Sequence, residues 1–317
     1  MVERPVSRTE GQLPNREITR PTSFIYTLMG DLVRYYGGEI WIGSLGRLMA
    51  EFGLSEAAVR QAVSRMSRQG WIGARKVGTR SYYAMTDRGR HRVDTVSPRI
   101  YLPPTAAWDG RWRMLAYTIP EHKREGRDRL RKDLTALGFA PLGTSLWISP
   151  RDVLDAAREA ARANDLESCI DLFLAESRGP KSDGGLIASC WDLEKIARGY
   201  QDFIAAYEAR LIAVRSRVPS DSHAFVEREW VVHDFRRFLY IDPGLPLSLL
   251  PASWPAARAS HLFRDYYEAV KPQALRFFES IFVGAPDRAP LGAGRPDPFD
   301  TLLDRELVVL DTVHAEV

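Results

Sequence analysis

Cysteine is nearly absent: the 317 residues include two, Cys169 and Cys190. Two unclustered thiols cannot build a thiolate zinc site or a disulfide framework, and they suit a reducing cytoplasm, the expected location. Long apolar runs are missing as well. No stretch approaches the roughly 18 consecutive apolar residues of a membrane helix, so no membrane partner is expected. The start, Met1-Val-Glu-Arg-Pro5, has no apolar segment of the signal-peptide kind. The six histidines are scattered, and HExxH, GxSxG, Walker-loop and CxxC patterns do not occur. Gly292-Ala-Gly294 lacks the preceding strand and the third glycine of a dinucleotide fingerprint. Neither a metal nor a resident cofactor is expected.

What is present is an ordinary globular composition, 45% hydrophobic and 27% charged. At about 100–200 residues per domain, the length implies two or three domains. The net charge of +3 hides an asymmetry. Residues 1–100 carry 16 Lys and Arg against 9 Asp and Glu, so the rest of the chain is net acidic. A basic N-terminal third on an acidic body fits a nucleic-acid-binding head attached to a sensing or assembly body.

Residues 1–20 read as a polar, flexible tail. From Pro21, Phe24, Ile25, Leu28, Leu32 and Val33 recur at helical spacing, with Thr22 or Ser23 as the cap. Glu39 to Ile42 reads as a short strand. Ser44 is expected to cap a second helix, Leu45 to Phe52, and Ser55 a third that ends near Gln69. Two alternating stretches around Val77-Gly78-Thr79 predict a hairpin. A further helix starts near Thr86-Asp87. Helix, strand, helix, turn, helix, hairpin is the order of a winged helix-turn-helix, assigned to residues 21–97.

The third helix has two faces. Val59, Ala62, Val63 and Met66 form one apolar stripe. Arg60, Gln61, Ser64, Arg65 and Arg68 lie off it, with side chains that donate to phosphates and base edges. Ser55 at the helix start, and Arg75, Lys76, Thr79 and Arg80 on the hairpin, complete the candidate DNA-binding set. A basic helix alone equally suits a solvated surface; the order of elements favours DNA. Trp71 and Ile72 are expected to pack on the helices, and one of Tyr82 and Tyr83 to face the core.

Residues 98–186 open with a proline-rich connector, Pro98 to Pro104. A βαββαβ pattern follows: strand Trp112–Ile119, helix Lys123–Leu137, strands Phe139–Leu142 and Ser145–Ile148, helix Asp152–Ala163, strand Ser168–Ala175. That predicts a ferredoxin-like domain. The first strand runs into Thr118-Ile119-Pro120 without the carboxylate a metal-dependent nuclease would place there. Arg178 to Gly185 reads as a loop. Residues 187–283 read as helical, an effector and dimerisation domain. It has a long stripe from Tyr200 to Val214, an amphipathic helix Glu229–Tyr240, a proline-punctuated loop, and a helix His261–Phe282 bent or broken near Pro272. Residues 284–317 are a Gly/Pro-rich tail with a short terminal helix, Leu302 to Leu310. The expected class is α+β throughout.

Three stretches together resemble the PaaX family of bacterial transcriptional repressors. They are Arg60-Gln-Ala-Val-Ser-Arg-Met-Ser-Arg-Gln-Gly-Trp71, Trp108-Asp-Gly-Arg-Trp112, and Arg236 to Pro246 with Leu249-Leu-Pro-Ala-Ser-Trp254. The resemblance covers roughly residues 21–283. It implies a winged head, a middle domain similar to a CRISPR-adaptation nuclease subunit but without nuclease activity, and a helical C-terminal domain. It further implies a non-enzymatic homodimer on a double-stranded DNA operator, released by an aryl-CoA thioester, typically phenylacetyl-CoA. A CoA ligand needs cations for its phosphates and an apolar slot for its acyl group. Trp147, His233, Arg236, Arg237 and Trp254 are side chains of that type, although the two tryptophans equally suit a core. The rival readings are an enzyme acting on nucleic acid or a CoA thioester through the middle domain, and a winged scaffold that binds protein.

Overall fold

The computed structural model describes residues 18–102, 108–287, 298–299 and 301–302. Most of the two predicted tails therefore lies outside the described residues. The first helix, α1 (Pro21–Asp31), starts at Pro21 rather than being capped by Thr22 or Ser23. A proline at the first helical position has its φ preset and lacks an amide that would go unbonded anyway. Strand β1 (Glu39–Trp41) leads directly into α2 (Ile42–Ala50). Ser44 is thus inside α2 and not its cap. Its hydroxyl is buried, donating to Ile281 O at 2.7 Å and accepting from Val283 N at 3.1 Å.

Helix α3 (Glu56–Arg68) begins as expected, with Ser55 Oγ accepting from Ala58 N at 3.2 Å. Strands β2 (Ile72–Val77) and β3 (Arg80–Met85) form the hairpin, and Gly78 takes a left-handed φ of 60° in its turn. The sheet order is β1-β3-β2, all antiparallel, with Glu39 opposite Ala84 and Ile72 opposite Met85. Tyr82 faces the core and Tyr83 is half-buried. Helix α4 (Asp87–Val96) is capped by Thr86. The predicted connector contains a short helix, α5 (Pro98–Tyr101), with Ile100, Tyr101 and Leu102 buried.

The middle domain follows the βαββαβ expectation. Its elements are β4 (Trp112–Tyr117), α6 (Arg124–Leu137), β5 (Ala140–Pro141), β6 (Leu146–Ser149), α7 (Leu154–Ala163) and β7 (Ile170–Ala175). The sheet order β5-β6-β4-β7 is antiparallel and places the first and third strands centrally, as in a ferredoxin-like sheet. Gly138 ends α6 at φ 94°, and a Cβ there would sit 2.7 Å from Pro243 O. Leu115, Leu130, Leu134, Phe139, Trp147 and Leu166 make the core between sheet and helices. On the opposite face, Trp112 and Ile148 pack with Ile187 and Leu245.

Helix α8 (Asp183–Cys190) begins within the predicted loop, because Ser182 Oγ accepts from Gly185 N and nucleates a turn. Helix α9 (Leu193–Ser216) carries the predicted stripe. In place of one helix over Glu229–Tyr240 there are two, α10 (Asp221–Phe235) and α11 (Phe238–Ile241). Helix α12 (Ala256–Ile281) runs unbroken through Pro272, with Val270, Ala274, Leu275 and Phe278 fully buried around it.

Two compact units result, and they do not follow chain order. One comprises residues 1–102, 205–235 and 262–317; the other comprises 103–204 and 236–261. The head thus shares its unit with α10 and most of α12. Within that unit, Phe24 of α1 packs on Phe52, Trp230 and His233.

A buried polar network accompanies this core. Asp31 accepts from Tyr101 OH at 2.6 Å, Tyr267 OH at 3.1 Å and Arg228 Nε at 2.9 Å. Arg228 also donates to the Tyr267 oxygen and lies 4.3 Å from that ring's centre. Burial by itself would discharge Arg228, but Asp31, Tyr267 and Glu229 reverse this and hold the guanidinium charged. Nearby, Tyr266 OH donates to Glu227 Oε2 at 2.5 Å.

Burial, and then Asp31, push the Tyr101 phenol well above its ordinary range; burial and Glu227 do the same to Tyr266. A raised folded-state value means stability that is complete below the unfolded value of about 10 and lost as pH rises above it. In an alkaline difference-absorbance titration, at least these two of the twelve tyrosines should stay protonated until the chain unfolds. Reversible ionisation of all twelve near their ordinary value would contradict the network.

Candidate nucleic-acid interface

The interface starts from the amphipathicity of α3. Val59, Ala62, Val63 and Met66 are each at most 2% exposed. At about 1.5–3 kcal/mol for each large side chain buried, this stripe fixes the helix's rotation about its axis. The rotation decides what faces water. Arg60, Gln61, Ser64, Arg65 and Arg68 are all exposed, at least one on each turn. Arg60 pairs with Glu56 one turn earlier at 2.5 Å, but both side chains are largely exposed. Such a pair is weak and exchanges readily for a phosphate. Ser55, exposed at the positive end of α3, uses its oxygen as the cap acceptor, which leaves its hydroxyl hydrogen available.

On the hairpin, Lys76, Thr79 and Arg80 are exposed. Arg80 lies over the Trp41 ring, 4.7 Å from its centre, which limits its freedom without consuming its donors. Trp71 packs edge-on against Tyr26 and is covered by Arg88, as a core-side residue should be.

The sequence places Arg75 in the candidate DNA-binding set, and in the structure two carboxylates engage it. Glu39 accepts from Nε at 3.3 Å and Nη2 at 2.5 Å; Asp287 accepts from Nη1 and Nη2, both at 2.8 Å. The hydrogen bonds it donates to Asp287 and then Glu39 push its pKa further above the ordinary arginine value. The partners are 36 and 212 positions away in sequence, so no local pattern announces them.

Three family models match the chain: a PaaX-like protein over residues 20–89, the PaaX protein central Cas2-like domain over 105–187, and the PaaX-like protein C-terminal domain over 191–280. The chain is also 31% identical over 267 residues to "Transcriptional repressor PaaX" of Escherichia coli (strain K12), covering 81% of this chain and 82% of that one. The chain belongs to the PaaX family. Among solved structures, the uncharacterized protein Rv0674 from Mycobacterium tuberculosis is 25% identical, with a TM-score of 0.46, over 75% of this chain and 89% of that one. The PaaX-like model over 20–89 spans α1 to the start of α4 and therefore takes in the whole basic surface of α3 and the hairpin. The PaaX central Cas2-like model spans the βαββαβ elements.

In this PaaX-family chain the five effector candidates are not equivalent. Trp147 belongs to the middle domain's core, 4% exposed among Leu115, Leu130 and Phe139. The sequence left this ring open to a core or to an acyl group, and the structure surrounds it with core side chains. Its Nε1 is buried without a hydrogen-bond partner among the described residues. Trp254 and Arg236 are half-buried and Arg237 is exposed, all in the unit with Trp147. His233 lies in the other unit, with Nδ1 at 3.1 Å from Thr27 Oγ1 and its ring against Phe24 and Trp230. Among the described residues, no group of three or more His, Cys, Asp or Glu could hold a metal ion.

Proposed function

We propose that the chain is a sequence-specific DNA-binding repressor that acts as a homodimer. Each copy would lay the exposed face of α3 in the major groove and set its hairpin beside the backbone. One observation carries the reading. The rotation of α3 fixed by its buried stripe exposes Arg60, Gln61, Ser64, Arg65 and Arg68 together, in a chain 31% identical to a transcriptional repressor. Two such helices one helical turn of DNA apart would read a pseudo-palindromic operator of a phenylacetate-type catabolic operon. An aryl-CoA thioester, phenylacetyl-CoA first, would favour a spacing that no longer matches the half-sites. Arg236, Arg237 and Trp254 remain the proposed contacts for that effector.

The test is titration of the purified protein with DNA from upstream of its own gene and neighbouring operons, at fixed salt, with and without phenylacetyl-CoA. Tight binding abolished by the thioester supports both parts. Arg65→Ala should weaken operator binding by about 1–3 kcal/mol and relax sequence preference if the side chain reads a base. A phosphate contact would instead weaken all sequences alike and flatten the salt dependence. Equal affinity for operator and random duplex would defeat the repressor reading.

A further inference from the structure

One arginine of the candidate DNA-binding hairpin, Arg75, is occupied by the fold itself. Arg75 is 38% exposed, so it faces the surface rather than the core. Four of its N–H···O contacts go to Glu39 and Asp287. Glu39, whose side chain is 8% exposed, needs a cation, and Arg75 supplies it. That pair is already neutral. Asp287, 59% exposed, adds a second negative charge that the burial of Glu39 does not require.

The placement of Asp287 follows from the backbone. After α12, Trp41 N donates to Val283 O at 3.0 Å, and Val283 N donates to Ser44 Oγ. Arg47 Nη2 and Ser44 Oγ both donate to Ile281 O. Ala285 is buried. The segment is thus tied along β1 and the start of α2, and it delivers the Asp287 carboxylate to the wing with both oxygens on the guanidinium fork.

We infer that Asp287 is an acidic latch on the wing: it competes with a DNA phosphate for the guanidinium of Arg75 and lowers the affinity of the head for duplex DNA. The inference rests on the DNA-binding reading above. A carboxylate and a phosphate oxygen satisfy the same planar fork of donors, so the two exclude each other there. With Asp287 in place, the set of Arg75, Glu39 and Asp287 carries a formal −1 where the wing's surface otherwise shows Lys76 and Arg80. An exposed ion pair contributes little to stability, so removing the acid should leave the fold intact while freeing the Nη1 edge of the guanidinium, with Nε and Nη2 still on Glu39.

The experiment compares wild type, Asp287→Asn, Arg75→Ala and the double variant. Each is assayed by elution from immobilised heparin and by titration with random and upstream duplex over a range of salt. Asp287→Asn should elute at higher salt and bind duplex more tightly, on the order of eightfold at 0.1 M salt and fading toward 1 M, with the salt slope steeper by about 0.9. In the Arg75→Ala background the same change should do nothing to the slope. Weaker binding by Asp287→Asn would mean that the acid orients Arg75 for DNA instead of withholding it, and the latch would be wrong. An equal gain with and without Arg75 would reduce the effect to bulk charge and also overturn it. Later heparin elution that depends on Arg75, with no duplex binding by any variant, would keep the competition of Asp287 with an anion for Arg75 and sink the DNA reading, and the effect on duplex with it. Unchanged elution with normal duplex binding would do the reverse.

Discussion

Arg228→Ala is expected to destabilise the unit containing the head by about 3–5 kcal/mol, the typical cost of leaving one member of a buried ion pair uncompensated. Arg228 and Asp31 are both 0% exposed by side chain, out of reach of bulk solvent. Asp31 would keep the phenols of Tyr101 and Tyr267 but lose the guanidinium that balances its charge. Urea unfolding followed by tryptophan fluorescence reads the change as a lower midpoint. The paired change Asp31→Asn with Arg228→Met should cost less than Arg228→Ala alone, because no buried ion remains. Costs that simply add would show that the two charges do not interact. DNA binding should fall with the folded fraction, since α1 carries Asp31 and packs in the same core as α3.

Trp147→Ala should cost about 3–5 kcal/mol as well, by a different route: lost transfer free energy plus a cavity among Leu115, Leu130, Leu134 and Phe139. Trp147→Phe is the informative companion. The indole Nε1 is buried with no partner among the described residues, so the smaller ring removes an unsatisfied donor together with some volume. Its cost should be well below that of alanine, under about 1.5 kcal/mol. Thermal unfolding of the three proteins separates these outcomes. A phenylalanine variant as unstable as the alanine one would mean that the indole N–H makes a bond. Release of DNA by an aryl-CoA should be unchanged in Trp147→Phe, as befits a core ring and not a ligand contact.

Where local signals dominate, the sequence was legible. Ser55 and Thr86 announced their helices because each cap is a hydroxyl followed at once by a helical pattern, and Gly138 announced the end of α6. The apolar stripe of α3 predicted both what it buries and what it exposes. Helix α10 was misplaced for a physical reason. Glu227, Arg228 and Glu229 are buried there, so its apolar periodicity vanishes although the helix is almost wholly enclosed. Ser44 looked like a cap because nothing nearby shows that its hydroxyl is spent on Ile281 and Val283. The occupation of Arg75 was invisible for the same reason: its partners are tertiary. The shared folding of the head with α10 and α12 was hidden too, since a linear reading assigns domains by contiguity.

The network around Asp31 also constrains how the protein is made. Asp31 leaves the ribosome long before its partners: Arg228 lies 197 residues later and Tyr267 236 residues later. At about 5–20 residues per second, that interval is on the order of tens of seconds. Throughout it, the nascent head carries a carboxylate without its counter-charge and an aromatic face of α1 that Tyr101 and Phe52 cover only in part. A gene truncated after the hairpin would encode every candidate base-reading residue and still lack the parts that allow α1 to close. Such a fragment should emerge as a substrate for chaperones and proteases rather than as a small repressor.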